Sequence, residues 1–369
     1  MFALPDYVNE PEWLRIGRLT AETLIAVFGV LGNIGVVIAI SRCPFMNTIT
    51  NIFIRNLAIA DLGVLVFSFP FAVVKEQTLL HWPLGRQICQ VVYPLSEIFI
   101  GVSVWSMVVI AVDRYQGIVK DSHLKSLKIA FLICCLPWLI SFLVISLPLL
   151  IVTRYWEGYG YQDCIQKWPE KNSMIMGQGY TILSSFYNYV LPLSIISWTY
   201  YKIFHKINQS DAFNKSNLET KALRNNSSCR FEKQRMKRNN RARKILTPVV
   251  VTFAVALLPV NVFRLTLVFI PSLVSYRYLW IIYNLCIIAT VLSSSCNPFI
   301  YAIVSDNFRV AFKSMLKSKK NLPRRRTHSS AQFSLTTAAK RLDLNANSKS
   351  VSNRSNNGVP SMCSISSSV

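Results

Sequence analysis

Charge is scarce in this chain. Asp, Glu, Lys and Arg make up 15% of its 369 residues, while 52% are hydrophobic, a balance that excludes an ordinary soluble domain of this length. Acids are the scarcer sign, with 17 Asp and Glu against 40 Lys and Arg. The nine cysteines contain no Cys-x-x-Cys pair, which excludes a structural zinc site built on that spacing. The sequence offers no nucleophile with its base, no metal-ligand cluster and no phosphate-binding glycine loop, and so gives no reason to expect an enzyme. No cleavable signal peptide is expected either: residues 2–4 are apolar, but Pro5, Asp6, Asn9 and Glu10 follow at once.

What the chain does have is long apolar runs. Seven blocks, at roughly 20–41, 49–75, 87–112, 126–152, 176–204, 245–271 and 276–304, reach the about 20 residues that a helix needs to cross a bilayer. The expected fold is an all-α integral membrane protein, a seven-transmembrane helix bundle over residues 20–304, whose first span acts as its own insertion signal. An odd number of spans puts the chain ends on opposite sides. Lys and Arg crowd the segments that fall inside the cell when residues 1–19 are extracellular, and the positive-inside rule then sends the C-terminus into the cytosol. Arg15 and Arg18 oppose that bias, but the whole-chain excess outweighs them. The pI near 9.8 reads as attraction to an anionic membrane leaflet rather than as nucleic-acid binding.

In this topology only Cys89 and Cys164 face the oxidising side, and a disulfide between them is the natural reading. The other cysteines read as buried fillers or reduced thiols. The second outer loop, about 153–175, carries Trp156, Tyr159, Tyr161 and Trp168, amphipathic rings suited to an interface or a binding mouth. The third inner loop, about 205–244, is polar and basic, with Arg235, Lys237, Arg238 and Arg241 near its end. Phe308, Val310, Ala311, Phe312, Met315 and Leu316 give an amphipathic pattern over 305–317, expected as a short eighth helix on the cytoplasmic surface. Residues 318–369 are Ser-, Asn- and Arg-rich and are expected to form a disordered cytoplasmic tail. The Asn-x-Ser sites at Asn208, Asn214, Asn226 and Asn353 fall on the cytosolic side and are expected to stay unglycosylated.

Seven spans also suit transporters and channels, so the decision rests on polar and proline residues within them. Gly32-Asn33 lies in the first span and Asn56-Leu57-Ala58-Ile59-Ala60-Asp61 in the second, followed by Trp82-Pro83-Leu84-Gly85. The third carries Cys89, Ser103 and Asp113-Arg114-Tyr115. Trp138 marks the fourth, Pro192 and Tyr200 the fifth, Phe253 and Pro259 the sixth, and Asn297-Pro298-Phe299-Ile300-Tyr301 the seventh. In this order and spacing, over about residues 20–317, the sequence resembles the rhodopsin-like (class A) G-protein-coupled receptors. The two halves show no matching pair of broken helices such as an inverted-repeat transporter carries.

The resemblance implies roles. Asp61 and Ser103 would hold a sodium ion, with Asn33, Ser293, Ser294 and Asn297 completing the network; the alternative is a purely structural hydrogen-bond cluster. Arg114 would pair with Asp113 at rest and swing on activation toward Tyr200 and the G protein, with Tyr115 and Tyr301 in the same machinery. The alternative is an end-of-helix arginine that snorkels. Val104, Pro192 and Phe253 match the family's transmission cluster, and Pro259 and Pro298 leave weak points for outward movement of the sixth helix. Four sites depart from the pattern. Leu257, in Ala256-Leu257-Leu258-Pro259, replaces the usual tryptophan. Asp121-Ser122 stands where relatives carry Pro and a large apolar residue, leaving Leu124 as a substitute. No acid stands where some relatives have a Glu that locks Arg114, Asn239 being nearest that place, and Ser293 stands where many relatives have Asn.

Toward the outer end, the third span presents Tyr93, Ser96 and Glu97, with Arg264 and Tyr283 opposite. Ser96 occupies the site where aminergic relatives have Asp, and no Lys lies between Tyr278 and Tyr301 to bind retinal. Glu97 and Arg264 are read either as contacts to a charged ligand or as a pair with each other, or Arg264 snorkels. The short N-terminus, aromatic outer loop and Met46-Asn47-Thr48 turn resemble the neuropeptide receptors. The expectation is therefore a plasma-membrane receptor for an extracellular peptide that activates heterotrimeric G proteins, without a cofactor beyond a sodium ion. One alternative is a small polar ligand such as a biogenic amine, read by Ser184, Ser185 and Asn188 with Glu97 as counter-ion. Another is a constitutively active receptor without a ligand. The Ser-rich tail suits arrestin once phosphorylated, and the ending Ser366-Ser367-Ser368-Val369 suits a PDZ domain, unless that ending is accidental.

Overall fold

A computed structural model describes residues 11–78, 81–122, 124, 126–158, 161–221, 248, 251–275 and 278–316. Their helices are α1 (Glu12–Arg42), α2 (Ile49–Gln77), α3 (Gly85–Ile118), α4 (Leu127–Val152), α5 (173–221), α6 (Val251–Phe269), α7 (Leu279–Val304) and α8 (Asp306–Leu316). A hairpin of β1 (Thr153–Gly158) and β2 (Tyr161–Gln166), pairing Tyr155 with Cys164, joins α4 to α5. Six helices, α1 to α4, α6 and α7, are long and apolar enough to cross a membrane. In α5 the apolar run is interrupted by Ser184, Ser185, Tyr187 and Asn188, yet it packs beside α3 and completes the seven-helix bundle. The bundle matches the sequence-based fold; the hairpin adds the strand structure that an all-helical reading lacked. Asn239, the Ser-rich tail and Val369 lie outside the described residues.

Apolar side chains cover the outside as well as the core. Leu24, Val27, Phe28 and Leu31 on α1, and Leu132, Leu136, Leu139 and Leu143 on α4, are all exposed, which suits a lipid solvent and would be intolerable in water. Polar groups turn inward instead and tie helices together. Asn56 donates to Ser106 Oγ at 2.8 Å and accepts from Trp138 Nε1 at 3.0 Å, joining α2, α3 and α4. Arg18 is a correction to the sequence reading, which left it in the outer N-terminal segment. It lies on α1, nearly buried, bridging Glu22 on its own helix to Glu76 on α2, because helix α1 begins at Glu12 and carries it into the bundle.

Three wide turns interrupt the α-helical ladder. They span Val64–Ser68 in α2, Phe142–Ser146 in α4 and Phe186–Val190 in α5. Each ends two residues before a proline, Pro70, Pro148 or Pro192. A proline lacks the N–H for the carbonyl four residues back and its ring pushes that carbonyl away. The preceding residue answers by bonding five back: Phe69 to Val64, Leu147 to Phe142, Leu191 to Phe186.

Asp121, one of the sequence departures, has a structural account. It takes φ 53°, the left-handed conformation that Asp tolerates better than most residues, and Ser122 N–H bonds back to Gln116 O at 3.0 Å. This bond, reaching back six positions, turns the chain just beyond the end of α3, and the left-handed φ at Asp121 is closed to proline. Leu124 packs against the core. At the far end of α7, Tyr301 stacks on Phe308 of α8 at 5.4 Å, and Phe308 and Ala311 are buried while Arg309 and Val310 are exposed.

Candidate functional site

At the hairpin end, α2, α3, α5, α6 and α7 enclose a cavity of about 260 Å³. Tyr93, Ser96, Glu97, Arg264 and Tyr283 all line it. Ser184 does not: it is buried, and its hydroxyl donates to Thr181 O at 3.0 Å. Glu97 meets Arg264 at 3.0 Å, and Asn188 Nδ2 approaches its other oxygen at 3.4 Å. Of the alternatives left open by the sequence, the two charges therefore sit as a pair across α3 and α6. The sequence reading missed Lys75, which also lines the cavity and donates to the Tyr93 hydroxyl. Its signal was present, since a lysine within a long apolar run needs a reason to be there.

The cavity is roofed in part by fixed structure. Cys89 and Cys164 form a disulfide, with Cα atoms 5.6 Å apart, which fastens β2 to the start of α3. Trp82 is buried against both cysteines; its backbone N–H bonds Gln162 O at 2.8 Å and its indole N–H bonds Gly85 O at 2.9 Å. Gly85 adopts φ 75°, which a side chain would oppose. Cys89→Ala and Cys164→Ala should each release the hairpin and lower surface expression, a bond of this kind being worth on the order of 2–4 kcal/mol. The double variant should be no worse than either single one. Free thiols at both positions in surface protein, by mass spectrometry, would contradict the bond.

Below the cavity, Leu257 touches two worlds: it lines the cavity and belongs to the buried cluster with Val104, Ile196 and Phe253. Pro192 is buried and Pro259 exposed. Beside them the Tyr189 hydroxyl donates to Ala254 O at 3.0 Å, linking α5 to α6. Deeper, Asp61 is fully buried. Ser103 Oγ donates to one carboxylate oxygen at 2.7 Å and Asn297 Nδ2 to the other at 2.8 Å. Asn33 instead donates to Gly29 O and Ser294 O, at 2.9 and 3.1 Å. Asn33 Oδ1 and Ser295 Oγ are buried without a hydrogen-bond partner. A buried carboxylate with hydroxyls, and an orphaned amide oxygen on α1, are oxygen donors of the kind that suits a hard cation.

At the α8 end, Arg114 Nε donates to Asp113 Oδ2 at 3.1 Å, and the same oxygen accepts from Thr50 Oγ1 at 2.8 Å. Arg114 also contacts Thr50. Tyr115 packs on Trp198, ring centres 5.1 Å apart. The Tyr200 hydroxyl is buried without a hydrogen-bond partner, and Pro298 and Tyr301 are buried.

Comparison with known proteins agrees with this layout. Residues 32–301 match the family model described as 7 transmembrane receptor (rhodopsin family). The chain is 32% identical over 353 residues to the neuropeptide Y receptor type 2 of Homo sapiens, covering 93% of this chain and 87% of that one. The macaque protein of the same name matches over the same span. The neuropeptide F receptor of Drosophila melanogaster is 32% identical over 309 residues, 79% of this chain and 61% of that one. With one rhodopsin-family match running from the first span to the seventh and relatives aligned over most of its length, the chain belongs to the rhodopsin family of seven-transmembrane receptors.

Proposed function

We propose that this chain is a plasma-membrane receptor for an extracellular peptide, with its N-terminus outside, that activates heterotrimeric G proteins when the inner half of α6 moves outward. The observation that carries the reading is the cavity itself. Charged and hydrogen-bonding side chains from α2, α3, α5 and α6 converge on it under a tethered hairpin, and such convergence suits a polar, extended ligand. The relatives named for neuropeptides point the same way. A small amine suits it less: Ser184 and Ser185 lie outside the lining, and Glu97 already faces Arg264. The test is nucleotide exchange on a G protein by the purified receptor, challenged with peptide and amine panels. Stimulation by amines and by no peptide would overturn the peptide reading.

On this reading the ligand contacts Tyr93, Ser96, Glu97, Arg264 and Tyr283, and Leu257 passes its pressure to Phe253 in place of a tryptophan. Pro259 and Pro298 provide the hinges. Arg114 leaves Asp113 for the G protein, and Tyr200 and Tyr301 supply hydroxyls to the opened end. Phosphorylated tail serines recruit arrestin, and Val369 seats in a PDZ groove.

Asp61, Ser103, Asn33, Ser294 and Asn297 would hold a sodium ion, whose chemistry there is charge compensation of a buried carboxylate. Because an ion that binds one state stabilises it, the purified receptor should melt higher in NaCl than in equimolar KCl. Asp61→Asn should erase that difference. Equal melting of the wild type in both salts would remove sodium from the account.

A further inference from the structure

Three charged side chains line the cavity: Lys75, Glu97 and Arg264. Glu97 and Arg264 answer each other at 3.0 Å. Lys75 has no such answer, for no carboxylate among the described residues lies within ion-pair distance of it. Glu76, its chain neighbour, is engaged by Arg18 from α1. Asp163 on β2 is near enough to attract Lys75, but its carboxylate accepts the Cys164 N–H at 2.6 Å. Within hydrogen-bond reach the ammonium has only neutral company. It donates to the Tyr93 hydroxyl and sits 5.1 Å from that ring's centre, and Tyr283 of α7 lines the same cavity.

An ammonium has three donors, and one is spent on Tyr93. A phenol that accepts from lysine still has its own O–H to give. Lys75, Tyr93 and Tyr283 thus present several donors and one positive charge without a direct ion-pair partner to a cavity lined mostly by apolar side chains. Half-buried cations of this kind are costly until an anion meets them, and charge-assisted bonds to a carboxylate are the strongest the set can make. We infer that Lys75, with the hydroxyls of Tyr93 and Tyr283, is the subsite for a carboxylate of the ligand. This rests on the reading of the cavity as the peptide site and narrows it: the peptide brings an acidic group to α2, in addition to whatever it offers Glu97 and Arg264.

Three probes test the inference on the full chain in lipid nanodiscs, by titrating its melting temperature. N-acetyl-phenylalanine carries an α-carboxylate, N-acetyl-aspartyl amide a side-chain carboxylate, and N-acetyl-phenylalanine amide none. At least one acid should raise the melting temperature where the amide does not, and whichever acid does so identifies the source of the carboxylate. Lys75→Gln should weaken that acid by at least about tenfold, Lys75→Arg should retain it, and melting without probe shows that each variant is folded. Equal effects of acid and amide, no effect of either acid, or an acid effect that survives Lys75→Gln would overturn the subsite. Nucleotide exchange driven by peptides is read separately. Peptide activation without Lys75-dependent acid binding sinks the subsite alone, and acid binding without peptide activation sinks the receptor reading alone.

Discussion

Arg114→Ala is expected to bring receptor-stimulated nucleotide exchange down to the rate of the G protein alone, while ligand binding at the opposite end of the bundle stays intact. Arg114 is only partly exposed, its side chain at 27%, and is held by Asp113 and Thr50. A guanidinium in that position carries five fixed donors on a stem that can reach outward once Asp113 lets go. Truncating a charge buried in an interface costs on the order of 2–5 kcal/mol, or roughly two orders of magnitude or more in coupling. Thr50→Ala should act in the opposite sense. Without its hydroxyl the Asp113 carboxylate loses a donor and the resting clasp loosens, so basal exchange should rise. Unchanged exchange in Arg114→Ala at matched surface expression would overturn the role given to Arg114. Unchanged basal exchange in Thr50→Ala would leave the clasp to Asp113 alone.

Gly63→Ala is expected to destabilise the bundle, although alanine favours helices over glycine. A Cβ at Gly63 would lie 2.2 Å from Phe99 Cδ1 and 2.4 Å from its Cγ, well inside contact distance. The ring cannot simply swing away, since it is wedged edge-on between Phe67, at 5.9 Å, and Trp138, at 6.1 Å. The indole of Trp138 in turn holds Asn56. Overpacking of this sort costs about 1–3 kcal/mol, against the roughly 1 kcal/mol that alanine gains in helix propensity. The melting temperature in detergent should therefore fall, and Phe99→Leu in the same chain should recover part of it. A melting temperature equal to or above the wild type for Gly63→Ala alone would show that Phe99 yields freely.

The seven spans and their order were legible because the features that define them are intrinsic to residue type. A long apolar run, a proline or an aspartate inside it means the same thing before folding as after. What could not be read was which charges meet. Glu97 and Arg264 are separated by much of the chain, and whether they face each other or a ligand depends on the rotation of α3 against α6. Arg18 looked like a loop residue because composition does not reveal that α1 begins at Glu12. Lys75 and Glu76 are adjacent in sequence but serve different neighbours, one toward the cavity and one toward α1. The hairpin was hidden for a related reason: Trp156 and Tyr161 read as rings of an interface or a binding mouth, since six-residue strands offer too little alternation to stand out. Asp121 stands as a departure from a family contact in the sequence, while in the structure its left-handed backbone turns the chain just beyond α3.

The wide turn in α5 has a consequence for anyone cutting or splicing this helix. Consecutive residues Tyr187, Asn188 and Tyr189 address α4, α3 and α6 through Ser141, Glu97 and the Ala254 carbonyl. The turn holds one residue more than an α-helical turn needs, so the two halves of α5 are out of angular step by about 100°. Deleting a single residue between 186 and 190 would close the wide turn into an α-helical one and leave the upper half-helix facing as it does now, whereas deleting one from the regular helix between 193 and 200 would turn it by about 100° about its own axis. Tyr180, which donates to the Ile145 carbonyl, and Gln178, which donates to the Val268 carbonyl, would keep their partners after the first deletion and lose both after the second.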